Sequence, residues 1–558
     1  MRLSLLVAVL LLIAVPAFSG GDGQQYQVHC SFCHGQDRLG KTASPLLPQL
    51  LMKYKDEDLA SVIKNGLPAT QMPAFPNLSD EHVKEVISYV RKPMDVSWTA
   101  DSIEKSIHLA EINPVAIERT KKINNIKDVT AVVERGKNKV WIMQGQNVLD
   151  WFEFPNVHGG AKFTTDGKAI FIPSRDGYVA KYDLSEERYA GKARACVNLR
   201  NIAVSRDGKY IVAACLIPQN LAILDSTTFK PVKTIDLQGR VSAIYELNTR
   251  DQAIFTISDR PQIGILNTKS LEVESLDIEN PYEDFFIEPI ERYVIGSSRK
   301  KNLVSVYDLQ AKKIVFRHST ESMPHLASAS FWYDKGGFYF ATPHINKPDI
   351  SIWRMYNWEF IRKIPTGGDG FFVRTSYGTP FLWIDNGSDT LVLIEKKGFA
   401  AKHITPVKGK KATHTEFSGD GKIAYISVFE KDGELTMYDS TKLTVLGRIK
   451  ASQPVGKYNF VHKQRTYEKY QLGQEVFMEK CWGCHHTTEE AFGPSFKSIV
   501  KKRNESTIRS MLIDPKATAA TIGYKRSVMP KIDLSTEETE SLLRFVMEPE
   551  AVSPPSPK

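Results

Sequence analysis

Two copies of one short motif could carry chemistry on this chain. Residues 30–34 read CSFCH and residues 481–485 read CWGCH. Two thiols about one helical turn apart can bond to the two vinyl groups of a porphyrin, and the adjacent histidine then reaches the iron. A lone C-x-x-C pair could instead be a redox or zinc site, but both copies carry the histidine. The motifs predict two covalently attached c-type haems, with attachment through Cys30, Cys33, Cys481 and Cys484 and with His34 and His485 as iron ligands.

Each motif is followed by residues that suit the surroundings of a haem. A proline comes after each histidine, Pro45 and Pro494, and its backbone carbonyl is expected to fix the histidine ring by accepting the second ring N–H. A Met-Pro pair follows each motif by about 40 to 45 residues, before a closing helix. We expect Met72 and Met529 to be the opposite iron ligands. His/Met ligation leaves no open coordination position, so these domains should carry electrons and not bind substrate.

The start of the chain and its charge indicate where the protein works. Residues 1–19 combine a positive start, a short apolar run and small residues, which is the pattern of a secretory signal peptide. The apolar run is too short for a comfortable membrane span, although an uncleaved anchor is the alternative. We expect a periplasmic protein with no membrane span after cleavage. The net charge of +9 is modest and spread along the chain, so nucleic-acid binding is not expected and acidic partners are favoured.

The other two cysteines, Cys196 and Cys215, stand outside the motifs. In an exported chain they could form a disulfide. Unpaired burial is an equally ordinary state for such residues, because free cysteine behaves as a small apolar side chain. The sequence leaves both states open.

The elements that must position a site lie between the two motifs, where short β-rich runs alternate with turn clusters. The run FTTDGK at 163–168 recurs as VSRDGK at 204–209 and as FSGDGK at 417–422. The first two copies start about 41 residues apart, which is within the range of propeller blades. About 345 residues at that period predict eight blades, with seven blades and long loops as the alternative.

These observations predict a multidomain chain, an eight-bladed all-β propeller flanked by two all-α cytochrome c domains. The expected order is a signal peptide at 1–19, a cytochrome c domain at 20–95, a linker at 96–113, the propeller at 114–462, a second cytochrome c domain at 463–550 and a tail at 551–558.

The order of an N-terminal cytochrome c and an eight-bladed propeller resembles the family of cytochrome cd nitrite reductase and its relatives in haem d1 biosynthesis. The stretch VHG at 157–159, followed by SRDG at 174–177, is similar to the segment that supplies the proximal histidine of haem d1. The resemblance implies His158 as iron ligand and Arg175, Arg200 and Arg240 as partners of the macrocycle's carboxylates, which arginine binds bidentately. The run MPH at 323–325 is similar to a segment with a distal-pocket histidine, here His325.

One departure from the nitrite reductases bears on the reaction. Their second distal histidine lies on a strand that here reads VRTSY at 373–377, with Ser376 expected in its place. His414 and Tyr458 resemble instead the acid–base pair of the dihydro-haem d1 dehydrogenase branch. That branch implies dehydrogenation of a propionate of dihydro-haem d1 to the acrylate of haem d1, with electrons passed to c-type haem. The second cytochrome domain looks like a separate small cytochrome c of the same pathway, fused on.

The implied partners are the haem d1 precursor, which would bind non-covalently, periplasmic electron acceptors, and a nitrite reductase as recipient of the finished haem. Three alternatives stay open. One is cytochrome cd-type reduction of nitrite to nitric oxide, for which His325 is the remaining distal acid. The others are a non-catalytic haem d1 carrier and an electron-transfer propeller without haem d1.

Overall fold

The computed structural model describes residues 23–41, 43–66, 72–110, 122–299, 301–334, 337–464, 467–524 and 529–547. The predicted signal peptide and the predicted tail lie outside these residues. The chain divides into two compact units, Met1–Ser97 and Trp98–Lys558. In the part of the chain that is described, no helix is long and apolar enough to cross a membrane.

The described residues of the first unit form five short helices around the first haem-attachment motif. They are α1 (Gln24–His29), α2 (Ser31–His34), α3 (Pro48–Leu51), α4 (Asp56–Asn65) and α5 (Asp80–Arg91). Helix α5 begins after Ser79, whose hydroxyl accepts a hydrogen bond from the His82 N–H and so caps the helix. Its buried residues form one apolar stripe, Val83, Val86, Ile87 and Val90, and such a stripe packs a helix onto a core.

The second unit is dominated by strands. Its first half contains α6 (Ala100–Lys105), β1 (His108–Leu109), β2 (Val129–Glu134), β3 (Lys139–Gln144), β4 (Asn147–Glu153), β5 (Lys162–Phe163), β6 (Ala169–Pro173), β7 (Tyr178–Asp183), β8 (Arg188–Arg194), β9 (Asn198–Val204), β10 (Tyr210–Ile217), β11 (Gln219–Asp225), β12 (Pro231–Asp236), β13 (Val241–Glu246), β14 (Gln252–Ile257), β15 (Gln262–Asn267) and β16 (Val273–Asp277).

The second half of the β-rich region consists of further short strands separated by turns. They are β17 (Asp284–Ile287), β18 (Tyr293–Ser298), β19 (Leu303–Asp308), β20 (Lys313–Ser319), β21 (Ser330–Asp334), β22 (Gly337–Pro343), β23 (Asp349–Arg354), β24 (Phe360–Pro365), β25 (Val373–Arg374), β26 (Phe381–Asp385), β27 (Leu391–Glu395), β28 (Ala401–Ile404), β29 (Ala412–Phe417), β30 (Ile423–Val428), β31 (Glu434–Asp439), β32 (Val445–Lys450) and β33 (Pro454–Asn459).

Among the described residues these strands form eight antiparallel sheets, so the predicted eight-bladed propeller is confirmed and the seven-bladed alternative is wrong. Six sheets contain only strands that are consecutive in sequence, and a seventh adds β1 to the consecutive strands β5–β8. The eighth joins the last strand, β33, to β2, β3 and β4, with Ala131 opposite Tyr458. Pairing the two ends of the propeller closes the ring, and a closed ring of blades leaves only short, protected edges.

Part of the stretch 96–113, which the sequence suggested was a linker, is regular structure. Helix α6 lies in it, and β1 pairs with β8 as a fifth, outer strand of the β5–β8 blade. The sequence gives little sign of this strand because an added edge strand of two residues, His108 and Leu109, is too short to show alternation.

The sequence repeat around D-G-K marks the hairpin turn that follows the first strand of a blade. In each copy a hydroxyl donates to the aspartate two residues later, at 2.7 Å from Thr164, 2.6 Å from Ser205 and 2.7 Å from Ser418. The same carboxylate accepts the lysine N–H that follows. These bonds satisfy the turn backbone, and the glycine between them adopts the left-handed conformation that few other residues tolerate.

Cys196 and Cys215 form a disulfide. Both residues are fully buried in the core of the β9–β12 blade. The bond links the entry to β9 with β10, and it resolves the two states that the sequence left open.

The end of the chain is helical again. Its helices are α7 (Phe460–Gln464), α8 (Tyr467–Val476), α9 (Phe496–Lys502), α10 (Glu505–Ile513), α11 (Pro515–Thr521) and α12 (Thr536–Met547). A separate apolar cluster that includes Phe477, Phe496 and Phe545 joins α8, α9, α10 and α12, whereas Phe460 of α7 packs against the propeller. The helical region contacts the propeller at Tyr333, whose hydroxyl donates to Glu475 Oε2 at 2.7 Å.

Candidate functional site

Most of the predicted propeller residues lie where the first strands of the blades begin, and Tyr458 lies near the end of β33. First strands of neighbouring blades contact one another, as β5 does β9 and β29 does β33, so they line the central channel. His158 and His325 lie shortly before first strands, and Arg200 and His414 lie near the beginnings of theirs. Because successive first strands run in the same direction along the channel, these side chains belong to one mouth of it.

His158 has both ring nitrogens engaged by protein. An isolated bridge between Val157 and Ser174 brings it next to Arg175. Its Nδ1 lies 3.3 Å from the Arg200 carbonyl, and Arg175 Nη2 lies 2.5 Å from its Nε2. A carbonyl only accepts and a guanidinium only donates, so the proton is on Nδ1 and the lone pair is on Nε2. Burial, then the charges of Arg175 and Arg200, lowers the pKa of His158 to about 3. The ring is therefore neutral, as an iron ligand must be.

Three arginines form a cationic group beside this histidine. Burial, followed by the charges of Arg200 and Arg240, lowers the pKa of Arg175 to about 10. Arg200 Nε donates to the Ser242 carbonyl at 2.5 Å, which holds its guanidinium in place. Within the described residues none of the three arginines forms a salt bridge. The neighbouring carboxylate of Asp176 offsets only part of this positive charge, and the rest fits a ligand that brings several carboxylates itself.

His414 lies at a break in the β29–β30 ladder, between Thr413 and Glu416. Its backbone is left-handed, with φ of +54°, a conformation that costs a residue with a Cβ about 1–3 kcal/mol. The side chain is 7% exposed, and its Nδ1 has no hydrogen-bond partner among the described residues. A buried, unpaired ring nitrogen on a strained backbone indicates a group kept for function.

Tyr458 and Phe372 form the surroundings of His414. The Phe372 ring lies 4.4 Å from the imidazole, and the Tyr458 ring lies 6.4 Å from it, edge-on. Burial, then the charges of Lys457 and Arg374, holds the pKa of His414 well below its usual range. Burial raises the pKa of Tyr458 to about 12. At neutral pH the imidazole is therefore a proton acceptor and the phenol keeps its proton.

Two glycines bring the His158 loop against the other residues. A Cβ on Gly159 would lie 2.6 Å from the Arg200 carbonyl, so only glycine lets this carbonyl reach the His158 ring. A Cβ on Gly160 would lie 3.6 Å from Tyr458 Cε1, so the loop packs directly on that tyrosine. The loop that carries His158 therefore packs against Tyr458, whose ring is a neighbour of His414.

His325 is held by Asp284, with Nδ1 2.7 Å from Oδ2. The carboxylate accepts, so the proton is on Nδ1. Arg374 Nη1 donates to the Ser328 carbonyl at 3.1 Å, which ties the His325 loop to a cation that also acts on His414 and Tyr458.

Ser376 lies elsewhere than the sequence suggested. It follows β25 in the turn toward β26, and its hydroxyl packs beside Gly421, in the D-G-K turn of the next blade. His414 lies before that blade's turn, near the beginning of β29. Ser376 is thus at the turn end of these strands, and Arg374, two residues earlier, is the nearer neighbour of His414.

Sequence reasoning missed three residues of the pocket, Phe372, Arg374 and Lys457. Lys457 is fully buried, and its Nζ donates to Ser427 Oγ at 2.5 Å and to the Val455 carbonyl at 3.1 Å. Burial lowers the pKa of Lys457 to about 7. The sequence offered one signal for Lys457, its position between Gly456 and Tyr458 in a run that reads as a strand, because a buried lysine needs a polar partner.

The two haem-attachment motifs present their histidines in the same way. His485 Nδ1 lies 2.8 Å from the Pro494 carbonyl, as predicted. In the first motif the acceptor is not the Pro45 carbonyl but that of Ser44, at 2.7 Å from His34 Nδ1. Proline restricts the residue before it to an extended conformation, and this fixes the direction of the Ser44 carbonyl. Each carbonyl puts the proton on Nδ1, so Nε2 carries the lone pair that would bind iron.

The other predicted haem residues fit this chemistry. Within the described residues Cys30, Cys33, Cys481 and Cys484 form no disulfide, so all four are available for attachment to haem. Met529 packs against the apolar cluster of the C-terminal helices. Met72 directly follows residues 67–71, which are not described, and its carbonyl lies close to Gly66.

Two family descriptions match the chain. Residues 124–463 match the "Cytochrome D1 heme domain", and residues 23–90 match "Cytochrome C oxidase, cbb3-type, subunit III". The first match covers more than half of the chain, so this protein belongs to the cytochrome d1 haem-domain family. A cytochrome c-type domain precedes the propeller in the sequence. The d1 haem domain and the cytochrome c-type domain are both haem-binding domains, so the matches support haem binding by this protein.

Individual relatives share most of this organisation. The chain is 34% identical over 486 residues to dihydro-heme d1 dehydrogenase of Pseudomonas aeruginosa, covering 83% of this chain and 98% of the relative. It is 21% identical over 415 residues to nitrite reductase of Stutzerimonas stutzeri, covering 65% and 74%. The solved structure of "Dihydro-heme d1 dehydrogenase NirN in complex with DHE" superposes with a TM-score of 0.74 at 33% identity, over 79% of this chain and 99% of that one. The resemblance predicted from the motifs is confirmed.

Proposed function

We propose that this chain is a periplasmic oxidoreductase of haem d1 biosynthesis, which dehydrogenates a propionate of dihydro-haem d1 to the acrylate of haem d1. The observation that carries the proposal is a pair of side chains beside the His158 loop, a neutral His414 whose Nδ1 has no hydrogen-bond partner among the described residues and a protonated Tyr458. A relative that is 34% identical and named dihydro-heme d1 dehydrogenase supports the same reaction.

Substrate binding would use His158 and the arginines. The Nε2 lone pair of His158 is the ligand for the substrate's iron, and Arg175 donates to that same lone pair. Binding therefore requires the Arg175 guanidinium to leave Nε2. A carboxylate of the substrate gives it a better partner, because a charge-assisted bidentate pair is stronger than a bond to a neutral ring. Arg200 and Arg240 take further carboxylates.

The reaction converts CH2–CH2 of the propionate into CH=CH and releases two protons and two electrons. His414 accepts a carbon-bound proton, which its neutral ring and water-poor pocket permit. Charge then develops toward the carboxylate, where the Tyr458 hydroxyl stabilises it by donating a hydrogen bond. The adjacent carbon gives the second proton to water as two electrons leave the substrate, and two oxidised c-type haems would accept these electrons. His325, held by Asp284 through its Nδ1–H, would be a further polar group at the pocket.

Two c-type haems suit the electron count. Cys30, Cys33, His34 and Met72 would hold one, and Cys481, Cys484, His485 and Met529 would hold the other. Each supplies one single-electron acceptor when bound, so a pair takes the two electrons of one turnover. Periplasmic electron acceptors would then reoxidise the protein, and a nitrite reductase would receive the product. The Cys196–Cys215 disulfide supports an oxidising compartment.

The test is a single-turnover experiment. Purified protein with both c-type haems oxidised is mixed anaerobically with the precursor, and absorption spectra and the product's mass are followed. We expect reduction of c-type haem and a product lighter by two hydrogens. Tight binding and release without a mass change would overturn the proposal in favour of a carrier. Turnover of nitrite with a reduced donor, without conversion of the precursor, would favour a nitrite reductase.

A further inference from the structure

Asp385 joins the two chain segments that border His414. It ends β26 and is 4% exposed. Its Oδ1 accepts the N–H groups of Phe371 at 2.8 Å and Phe372 at 2.9 Å. Its Oδ2 accepts the His414 N–H at 3.2 Å and the Thr413 hydroxyl. One buried carboxylate thus binds four donors, two on each segment.

The two segments meet through their rings. The Phe372 ring contacts the His414 imidazole at 4.4 Å. The Asp385 N–H donates back to the Phe372 carbonyl at 3.2 Å. A Cβ on Gly370 would lie 1.8 Å from the Asp385 carbonyl, so glycine is required for the segment to approach this closely. The position of Phe372 against the imidazole therefore depends on Asp385.

The backbone of His414 depends on it as well. The left-handed conformation is disfavoured for a residue with a Cβ, and the ladder between β29 and β30 is interrupted there. The bond from the His414 N–H to Asp385 replaces the missing ladder bond. It holds the strained residue where its ring meets Tyr458.

We propose that Asp385 is the positioning residue of this site, which fixes His414 for proton transfer by binding the Thr413–His414 and Phe371–Phe372 segments at once. The proposal rests on the proposed function, in which His414 is the proton acceptor. Asp385 itself touches no substrate. A merely structural aspartate would affect folding stability, whereas a positioning residue affects the chemical step after the substrate is bound.

Asp385→Asn tests this because it keeps the size of the side chain and removes its ability to accept at both ends. Asparagine accepts through one oxygen only, so whichever way it turns its NH2 faces either the N–H groups of Phe371 and Phe372 or the His414 N–H, and at least one N–H loses its acceptor. In the full chain with both c-type haems, we expect the rate of conversion to fall about 10- to 100-fold, since small misplacements of a catalytic group have effects of that order. The dissociation constant of the precursor should stay within about threefold, because the His158 group is untouched.

Asp308→Asn is the matched control. Asp308 is 2% exposed and accepts four hydrogen bonds in another blade, from Arg292 Nε and Nη2 and from the N–H groups of Gln310 and Ala311. Both variants should unfold at lower temperature. With an excess of a soluble one-electron oxidant, only Asp385→Asn should convert the bound precursor slowly. Thr413→Val, which removes one of the four donors, should slow conversion less and in the same direction.

The outcomes separate the two proposals. Conversion by Asp385→Asn at the wild-type rate would overturn the positioning role and leave the proposed function intact. If Asp385→Asn does not fold, an unchanged rate in Thr413→Val would overturn it equally. If the wild-type protein does not convert the precursor, the proposed function fails. The positioning role is then decided by a crystal structure of the substrate-free variant, which must show His414 leaving its left-handed conformation and separating from Phe372.

Discussion

The two histidines that border the propeller mouth differ in how their rings are held. Both are neutral, because burial and neighbouring cations lower both pKa values. His158 has both nitrogens in hydrogen bonds, which fix its tautomer and direction. His414 has a buried Nδ1 without a partner in the described structure and a left-handed backbone. A fixed tautomer suits a metal ligand, whereas an unpaired nitrogen suits a group that gains and loses a proton.

The charged neighbours of the two histidines differ as well. The neighbours of His158 are arginines, which attract carboxylates from outside the protein. The neighbours of His414 include Lys457 and Arg374, and the carboxylates of Glu416 and Asp385 partly offset the charge of Lys457. One side of the mouth is therefore arranged to hold an anionic macrocycle, and the other to control a proton. Substitutions on the two sides should separate binding from rate.

The largest effect is expected from His414→Asn. Asparagine tolerates the left-handed backbone, so the fold around Asp385 is kept while the imidazole is lost. The rate of conversion should fall about 10²- to 10⁴-fold, the usual contribution of a general base, with the dissociation constant of the precursor unchanged. Single-turnover spectra and a titration measure the two quantities. A rate within tenfold of wild type would show that His414 is not the proton acceptor.

His158→Ala should have the opposite signature. Loss of the iron ligand should weaken binding by at least the roughly 10- to 100-fold that loss of an outer partner costs a metal site, and the absorption spectrum of bound precursor should shift. At saturating precursor the rate should change far less than in His414→Asn. Equal effects of the two substitutions on both quantities would contradict the division between binding and proton transfer.

A smaller effect is expected from Arg240→Gln. One charge-assisted hydrogen bond contributes about 1.5–3 kcal/mol, so the dissociation constant should rise roughly tenfold or more at low salt, with an unchanged rate at saturation. Arg260→Gln on the same blade is the control, because Arg260 is exposed like Arg240 and donates to Gln238, but is not among the charges that lower the pKa of Arg175. Without precursor, Arg240→Gln should unfold at a slightly higher temperature than wild type, since one of three like charges is gone. An equal loss of affinity in both variants would indicate a general charge effect.

Local motifs allowed much of the fold and of the binding side to be predicted. The C-x-x-C-H runs and the D-G-K turns are contiguous in sequence, and their geometry follows from spacing alone. His158 and Arg175 were found because each lies in a short recognisable segment, and one bridge between Val157 and Ser174 joins those segments.

The reacting side was harder because its determinants are far apart in sequence. Asp385 acts on His414 across 29 residues, and Phe372 meets it from another blade. The expected position of Ser376 differs from the observed one for the same reason. Arg374 lies near the channel mouth, and two residues further along the chain Ser376 already lies at the hairpin turn. Such placements depend on register and bulges, which sequence patterns specify weakly.

The smallest expected effect is the pH dependence of precursor binding, which distinguishes His158 from a histidine with the usual pKa. With a pKa of about 3, it stays neutral from pH 8 to pH 5, so affinity for the precursor should be flat over this range. An imidazole with the usual pKa near 6.5 would lose about thirtyfold by pH 5. Titrations at several pH values measure this, and a thirtyfold loss would contradict the assignment of His158 as a buried, cation-flanked ligand.

The same shift predicts how stability depends on pH. Because the folded pKa of His158 lies below the unfolded value near 6.5, its contribution to stability is fully present above pH 6.5 and is lost progressively as the pH falls toward 3. The unfolding temperature of wild type should therefore fall more steeply between pH 6.5 and 4 than that of His158→Gln, which has no group to protonate. Parallel curves would mean that the folded protein does not resist protonation of His158. Protons would then compete with iron for the His158 ring. The assignment of His158 as the iron ligand would lose its physical basis.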